Sequence, residues 1–195
     1  MARPRSDARH RLFEAAIALI AERDFAGTTV AAIAERAGVA KGTVYYNFPS
    51  KQALFEGLLA QGMDELEQRL AKASEGLAPL PAIIALVRAQ LEYIAEYGPF
   101  TKLLASEMWR TERAWRDTLN RLRERVVGRY VAALDEGVRA GVLREGLDTQ
   151  LAAASIFGMV LVTALGWREF RPDQPLDEVH ATIVDLLRGG AIVSP

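Results

Sequence analysis

A chain of 195 residues, half of them apolar and a quarter charged, is long enough to bury a sizeable core and polar enough to stay in water. The absence of cysteine excludes disulfides, thiolate catalysis and the common zinc sites. The net charge of −1 conceals an asymmetry, because residues 1–51 carry eight Lys/Arg against five Asp/Glu while the remainder carries 16 against 20; a small positive lobe on an acidic body suits a protein that presents one end to a polyanion.

Apolar residues recur at helical spacing throughout and nowhere alternate as in a strand, which predicts an all-α fold of about nine helices. The first runs from about Asp7 to Arg23, with Ser6 as N-cap and Leu12, Ala16, Leu19 and Ile20 on one stripe, and Gly27 breaks it. Thr29 then caps a short helix carrying Val30, Ile33, Ala34 and Ala37, Gly38 ends it, and Ala40 to about Tyr46 forms the next. Pro49-Ser50 stops that helix, and a fourth spans 51–72 with Leu54, Phe55, Leu58, Leu59, Leu66 and Leu70. Ser74 to Pro81 reads as a connection. Further helices are predicted at 81–97, 101–110, 113–140, 149–167 and 177–188, punctuated by Gly98-Pro99, Thr111, Gly141, Asp148, Arg171-Pro172 and Gly189-Gly190.

No uncharged apolar run reaches the roughly 18–20 residues of a membrane span, and the nearest, Leu151 to Trp167, reads as a buried helix. The basic start, Met1 to Arg11, is followed by an apolar stretch that Glu14, Glu22, Arg23 and Asp24 interrupt, so it does not read as a signal peptide and the cytoplasm is the expected location. No membrane partner is expected.

Two short helices joined by a tight glycine turn form a helix-turn-helix, whose second member fits the DNA major groove. Close approach of the helices needs a small residue, the turn needs a left-handed backbone, and the second helix needs an aliphatic plug. Ala34, Gly38 and Val44 meet those demands at the right spacing.

The run from Gly27 to Lys51 (GTTVAAIAERAGVAKGTVYYNFPSK) resembles the signature of the tetracycline-repressor (TetR) family of bacterial regulators. The resemblance implies an N-terminal helix-turn-helix domain, 1–50, and a C-terminal helical effector-binding and dimerisation domain, 51–195. One departure is Asn47, where the family commonly has histidine; Asn still hydrogen-bonds phosphate or a base edge. The implied partners are a double-stranded DNA operator, a second copy of the chain, and a small apolar or amphipathic effector. Most relatives repress, although these residues alone do not separate a repressor from an activator.

The chemistry of the individual residues agrees. The Thr29 hydroxyl and the free N–H groups beside it suit a phosphate oxygen as well as a cap. Lys41, Gly42 and Thr43 open the recognition helix, where Lys donates to guanine, Gly allows close approach, and Thr offers a methyl or hydroxyl to a base. Tyr45 and Tyr46 are adjacent on a short helix, so both rings cannot face the core, and the resemblance implies that both reach DNA, Tyr46 through its hydroxyl. Lys51 is a cation at a positive helix end, which a nearby phosphate would resolve. Arg3 and Arg5 read equally as a minor-groove arm or a basic tail.

In the family that the sequence resembles, the last two helices of each subunit form the dimer interface. Here the matching segments offer Ala153, Ile156, Phe157, Val160, Ala164, Val179, Ile183, Leu186 and Leu187, residues that serve equally as ordinary core. Tyr93, Phe100, Met108, Trp109, Trp115 and Phe157 are the candidate lining of an effector cavity, again with core packing as the plainer reading. Arg110, Arg113, Arg116, Arg121, Arg123, Arg125 and Arg129 form either a site for an anionic head group or a solvated face beside Glu107, Glu112, Asp117 and Glu124. The fourth helix is positioned to carry an effector signal.

An enzyme is disfavoured. His10 and His180 are the only histidines, neither has metal-ligand spacing, and no nucleophile elbow or phosphate loop follows a strand. No catalytic residue, metal or cofactor is expected. The competing class is a helical scaffold whose helix-turn-helix no longer reads DNA.

Overall fold

The computed structural model describes residues 4–108 and 116–191, with some side chains, Asn47 and Met108 among them, outside the described set. Trp109, Trp115 and Arg3 lie outside the described residues, as does the side chain of Arg5. Among the described residues there are nine α-helices and no strand: α1 Pro4–Gly27, α2 Val30–Arg36, α3 Lys41–Asn47, α4 Lys51–Ser74, α5 Pro79–Glu96, α6 Gly98–Met108, α7 Arg116–Arg139, α8 Thr149–Phe170 and α9 Leu176–Ala191.

Helix boundaries differ from the sequence pattern mainly at proline and glycine. α1 begins at Pro4, so Ser6 is helical rather than an N-cap. Pro79 begins α5 and Pro99 is the second residue of α6. First-turn positions need no N–H for an intrahelical bond, so proline fits there with its φ already helical. α9 runs through Gly189-Gly190 to Ala191. The Asp148 carboxylate caps α8 as expected, accepting from Leu151 N at 2.9 Å.

The chain forms two compact units, Met1–Gly62 with Pro99–Leu119 and Met63–Gly98 with Asn120–Pro195. In the first, α1 packs on α2 and α2 on α3. Its core joins Phe13, Ala16 and Leu19 of α1 to Ile33 and Ala34, Val44, Leu54 and Phe55, with Phe100 and Leu104 supplied by α6. In the second, α5 is central and both α8 and α9 pack on it. Leu86, Val87, Leu91 and Ile94 are buried there with Val126, Leu134, Val160, Ala164 and Ile183. Each fully buried aliphatic side chain contributes about 1.5–3 kcal/mol.

Candidate nucleic-acid interface

α2 starts as the sequence predicts, with Thr29 Oγ1 accepting from Ala32 N at 3.1 Å. It ends in a Schellman turn. Gly38 has φ +65°, its N–H reaches Glu35 O at 3.1 Å, and Val39 N reaches Ala34 O at 3.0 Å. Those two bonds satisfy carbonyls that the helix end would leave unpaired, and the left-handed backbone needs glycine. The turn releases the chain into α3 two residues later. An ion pair, Arg36 to Glu22 at 2.6 Å, ties α2 to α1.

α3 turns one side chain firmly inward. Val44 is fully buried, while Lys41, Gly42, Thr43, Tyr45 and Tyr46 are all exposed. Tyr46 is 81% exposed, a large aromatic surface that nothing in its own unit covers. The Lys41 ammonium lies 5.8 Å from the centroid of the Tyr45 ring, so the two share one patch. A Cβ built on Gly42 meets nothing within 4 Å, so packing within the chain does not require glycine there. The Ser50 hydroxyl accepts from Ala53 N at 3.0 Å and caps α4, which places half-buried Lys51 in its first turn.

The candidate effector residues that the structure describes are buried, in two different units. Phe100 is packed in the core of the first unit, against Phe13 and the backbone of Gly62. Tyr93 and Phe157 belong to the second unit, where they are 2% and 5% exposed. Burial, then Glu65, pushes the Tyr93 phenol well above its ordinary range. Its ring meets that of Tyr97 at a tilt of 45°, with centroids 4.9 Å apart, and the Arg69 guanidinium lies 5.4 Å from both centroids. Arg69 is itself held by Glu96 and Glu65, each at 2.7 Å. An apolar groove of about 250 Å³ is lined by Leu80, Ile83, Ile84, Leu134, Leu143 and Ile156, with Val184, Leu187 and Arg188 from α9. Aliphatic side chains at helical spacing read as core in a sequence, so nothing there distinguished the groove lining.

The expected dimer residues are covered within the single chain. Ile156, Val160, Ala164, Val179 and Ile183 are each at most 6% exposed within a single chain, because their stripe faces α5, and Leu187 lines the groove. Their neighbours on the opposite side are the exposed ones: Leu151 at 65%, Val162 at 71% and Leu186 at 62%. Arg125 and Arg129 are not a free basic face either. They bind Asp64, at 2.6 Å, and Glu67 of α4.

Comparison with known proteins agrees with this geometry. Residues 12–58 match the bacterial regulatory proteins of the tetR family, and residues 79–191 match a tetracyclin repressor-like C-terminal domain. The HTH-type transcriptional repressor KstR2 of Mycobacterium tuberculosis is 30% identical over 189 residues, covering 93% of this chain and 92% of the relative. The fatty acid metabolism regulator protein of Bacillus subtilis is 26% identical over 181 residues, covering 92% and 93%. Among solved structures, the ketosteroid regulator KstR2 superposes with a TM-score of 0.75 at 26% identity, covering all of this chain and 98% of the other. The Bacillus subtilis regulator FadR, crystallised with stearoyl-CoA, superposes at 0.83 with 24% identity, covering 93% and 98%, a likeness of fold.

Proposed function

Because the chain belongs to the TetR family of bacterial regulatory proteins, we propose that it is a cytoplasmic repressor, without enzymatic activity, that binds a palindromic operator as a homodimer and leaves it when an amphipathic, mostly apolar effector binds. The outward face of α3 carries this reading: five consecutive-to-adjacent residues, Lys41 to Thr43 with Tyr45 and Tyr46, are exposed around one buried Val44. Lys41 and Thr43 meet base edges, Gly42 admits the groove floor, Tyr46 reaches the backbone through its hydroxyl, and Tyr45 and Asn47 extend the contact. Thr29 and Lys51 anchor phosphates on either side.

One short helix reads too few bases for operator affinity, and a two-fold dimer doubles the contacts. α8 supports the pairing. It is long and apolar enough by composition to cross a membrane, with a mean hydropathy of 1.6, yet only 33% of that stretch is buried within the chain. Leu151, Ser155, Gly158, Val162 and Gly166 follow one another along a single stripe, and a Cβ at Gly158 or Gly166 would meet nothing within 4 Å. Such a stripe lets a second α8 approach closely, with Leu186 of α9 beside it.

The likeness to a fatty acid metabolism regulator, to a regulator crystallised with stearoyl-CoA and to a ketosteroid transcriptional regulator favours a long acyl thioester or sterol-like effector. An effector coupled by about 1–3 kcal/mol weakens operator binding roughly 5–150-fold. Selection of bound sequences from random DNA tests the whole reading. A palindrome with half-sites about one helical turn apart is the expected product, and stearoyl-CoA should release it in a gel shift. Recovery of no shared sequence, with binding that ignores base composition, would instead favour the scaffold alternative.

A further inference from the structure

The side chains assigned above to DNA stand on α3, at the N-cap of α2 and in the first turn of α4, and the helices behind them are wedged by a residue from elsewhere in the chain. Phe100, the third residue of α6, belongs to the first compact unit and is 2% exposed. Its ring stands edge-on to fully buried Phe13 of α1, with centroids 5.3 Å apart and planes at 61°. The tip of the same ring rests on the backbone of α4. A Cβ on Gly62 would lie 2.4 Å from Phe100 Cζ, 2.5 Å from its Cε1 and 3.1 Å from Phe13 Cζ. Real carbon atoms do not approach so closely, and two buried rings have nowhere to retreat, so the slot exists because residue 62 has no side chain.

Five residues earlier α4 carries a second notch of the same kind. A Cβ on Gly57 would lie 2.6 Å from Cε1 of Phe48. Phe48 is the residue that closes α3, its N–H bonded to Val44 O at 2.7 Å. Five helical residues separate the notches by about 7.5 Å along the axis and about 140° around it. One helix therefore grips the trailing aromatic of the recognition helix in one notch and the leading aromatic of α6 in another, with α1 held against the second.

We infer that Phe100, seated in the Gly62 notch against Phe13, is a positioning residue for operator recognition. It completes the DNA-reading unit from beyond residues 12–58, the segment that matches the bacterial regulatory proteins of the tetR family, and it fixes α1 and α4 so that α3 is held in one orientation. The inference rests on the operator reading above. It adds that specific recognition depends on Phe100 filling the Gly62 notch.

The test uses full-length chains carrying Gly62→Ala, Phe100→Leu and both changes, with the selected operator and a scrambled duplex as probes. Gly62→Ala should weaken operator binding by at least about tenfold, about 1.4 kcal/mol, while scrambled-duplex binding, which rests on phosphate contacts, changes by less than about twofold. Phe100→Leu in the same chain should restore most of the loss, since leucine leaves room for the new methyl group. A purely structural role would lower both affinities together. Operator binding that is unchanged in Gly62→Ala, or losses that simply add in the double variant, overturns the inference. Should Gly62→Ala fail to fold by far-UV circular dichroism, Phe100→Leu alone decides, with at least about a threefold loss on operator only; wild-type affinity overturns the inference. A wild-type chain that selects no operator overturns both readings, whereas a normal operator with indifferent variants overturns this one alone.

Discussion

The Tyr130 hydroxyl donates to Gln90 Oε1 at 2.7 Å with both side chains fully buried, and Gln90 Nε2 donates onward to the Phe157 carbonyl at 3.1 Å. The relay joins α7, α5 and α8 at the centre of the second unit. Buried amides cost stability unless bonded, and once bonded they accept few alternative packings. Burial also pushes the Tyr130 phenol well above its ordinary value, so the hydroxyl keeps its proton to donate. Tyr130→Phe removes that donor from Gln90 and should cost about 1–3 kcal/mol in urea denaturation. Operator affinity of the folded fraction should not change.

On the DNA side, two variants separate anchoring from reading. Lys51→Ala should lower the slope of log affinity against log salt by about one while weakening all sequences alike. Thr43→Ala should keep the slope and relax the preference at one base pair, by about 1–3 kcal/mol. A common response of both variants on both measurements would contradict the assigned roles.

Gly38 and Gly42, four residues apart, should respond in opposite ways to the same change. Gly38 has φ +65°, so Gly38→Ala strains the turn by about 1–2 kcal/mol and lowers the melting temperature. Gly42 is helical with open space where a Cβ would go, so Gly42→Ala should leave melting unchanged or slightly raised. Its loss should appear in operator affinity, about tenfold or more, because the methyl group meets the groove floor.

The pairing face is tested at residues that the chain itself leaves uncovered. Val162→Glu and Leu186→Glu put charges on exposed positions and should yield folded monomers by light scattering, with operator binding lost. A dimer that persists in both variants would place the interface elsewhere.

Acid should loosen one tie in the second unit. The Arg69 hydrogen bond holds the Glu96 carboxyl below its usual range. Its stabilisation is therefore present above about pH 4.3, the unperturbed value, and is lost as pH falls through the lower folded value. Glu96 is half exposed, at 52%, so the effect is screened. Glu96→Gln should cost only about 0.2–1 kcal/mol at pH 7 and nothing at pH 2, a difference read from paired melting curves.

How much of this was legible in the sequence depends on how local each requirement is. The turn between α2 and α3 was legible because Ala34, Gly38 and Val44 serve three local demands at fixed spacing. The face of α8 was not, because that helix is apolar nearly all round and periodicity cannot say which side meets α5. Val160 and Ala164 therefore read as plausible pairing residues, although they are fully buried in their own chain. The seat of Phe100 was not legible either, because its partner is an absent side chain at Gly62 and no local pattern announces a missing group. Acids lie near Arg125 and Arg129 in sequence, whereas the carboxylates that bind them sit on α4.

The poorly covered apolar rod of α8 carries a cost for any subunit without a twin. A 22-residue apolar helix whose exposed face includes Leu151, Val162 and Phe170 is what chaperones and proteases recognise on unfinished proteins. Solitary copies would be cleared or would aggregate, and mated copies would be spared. The working abundance of the regulator would then be set by how often newborn chains meet, as much as by how many are made.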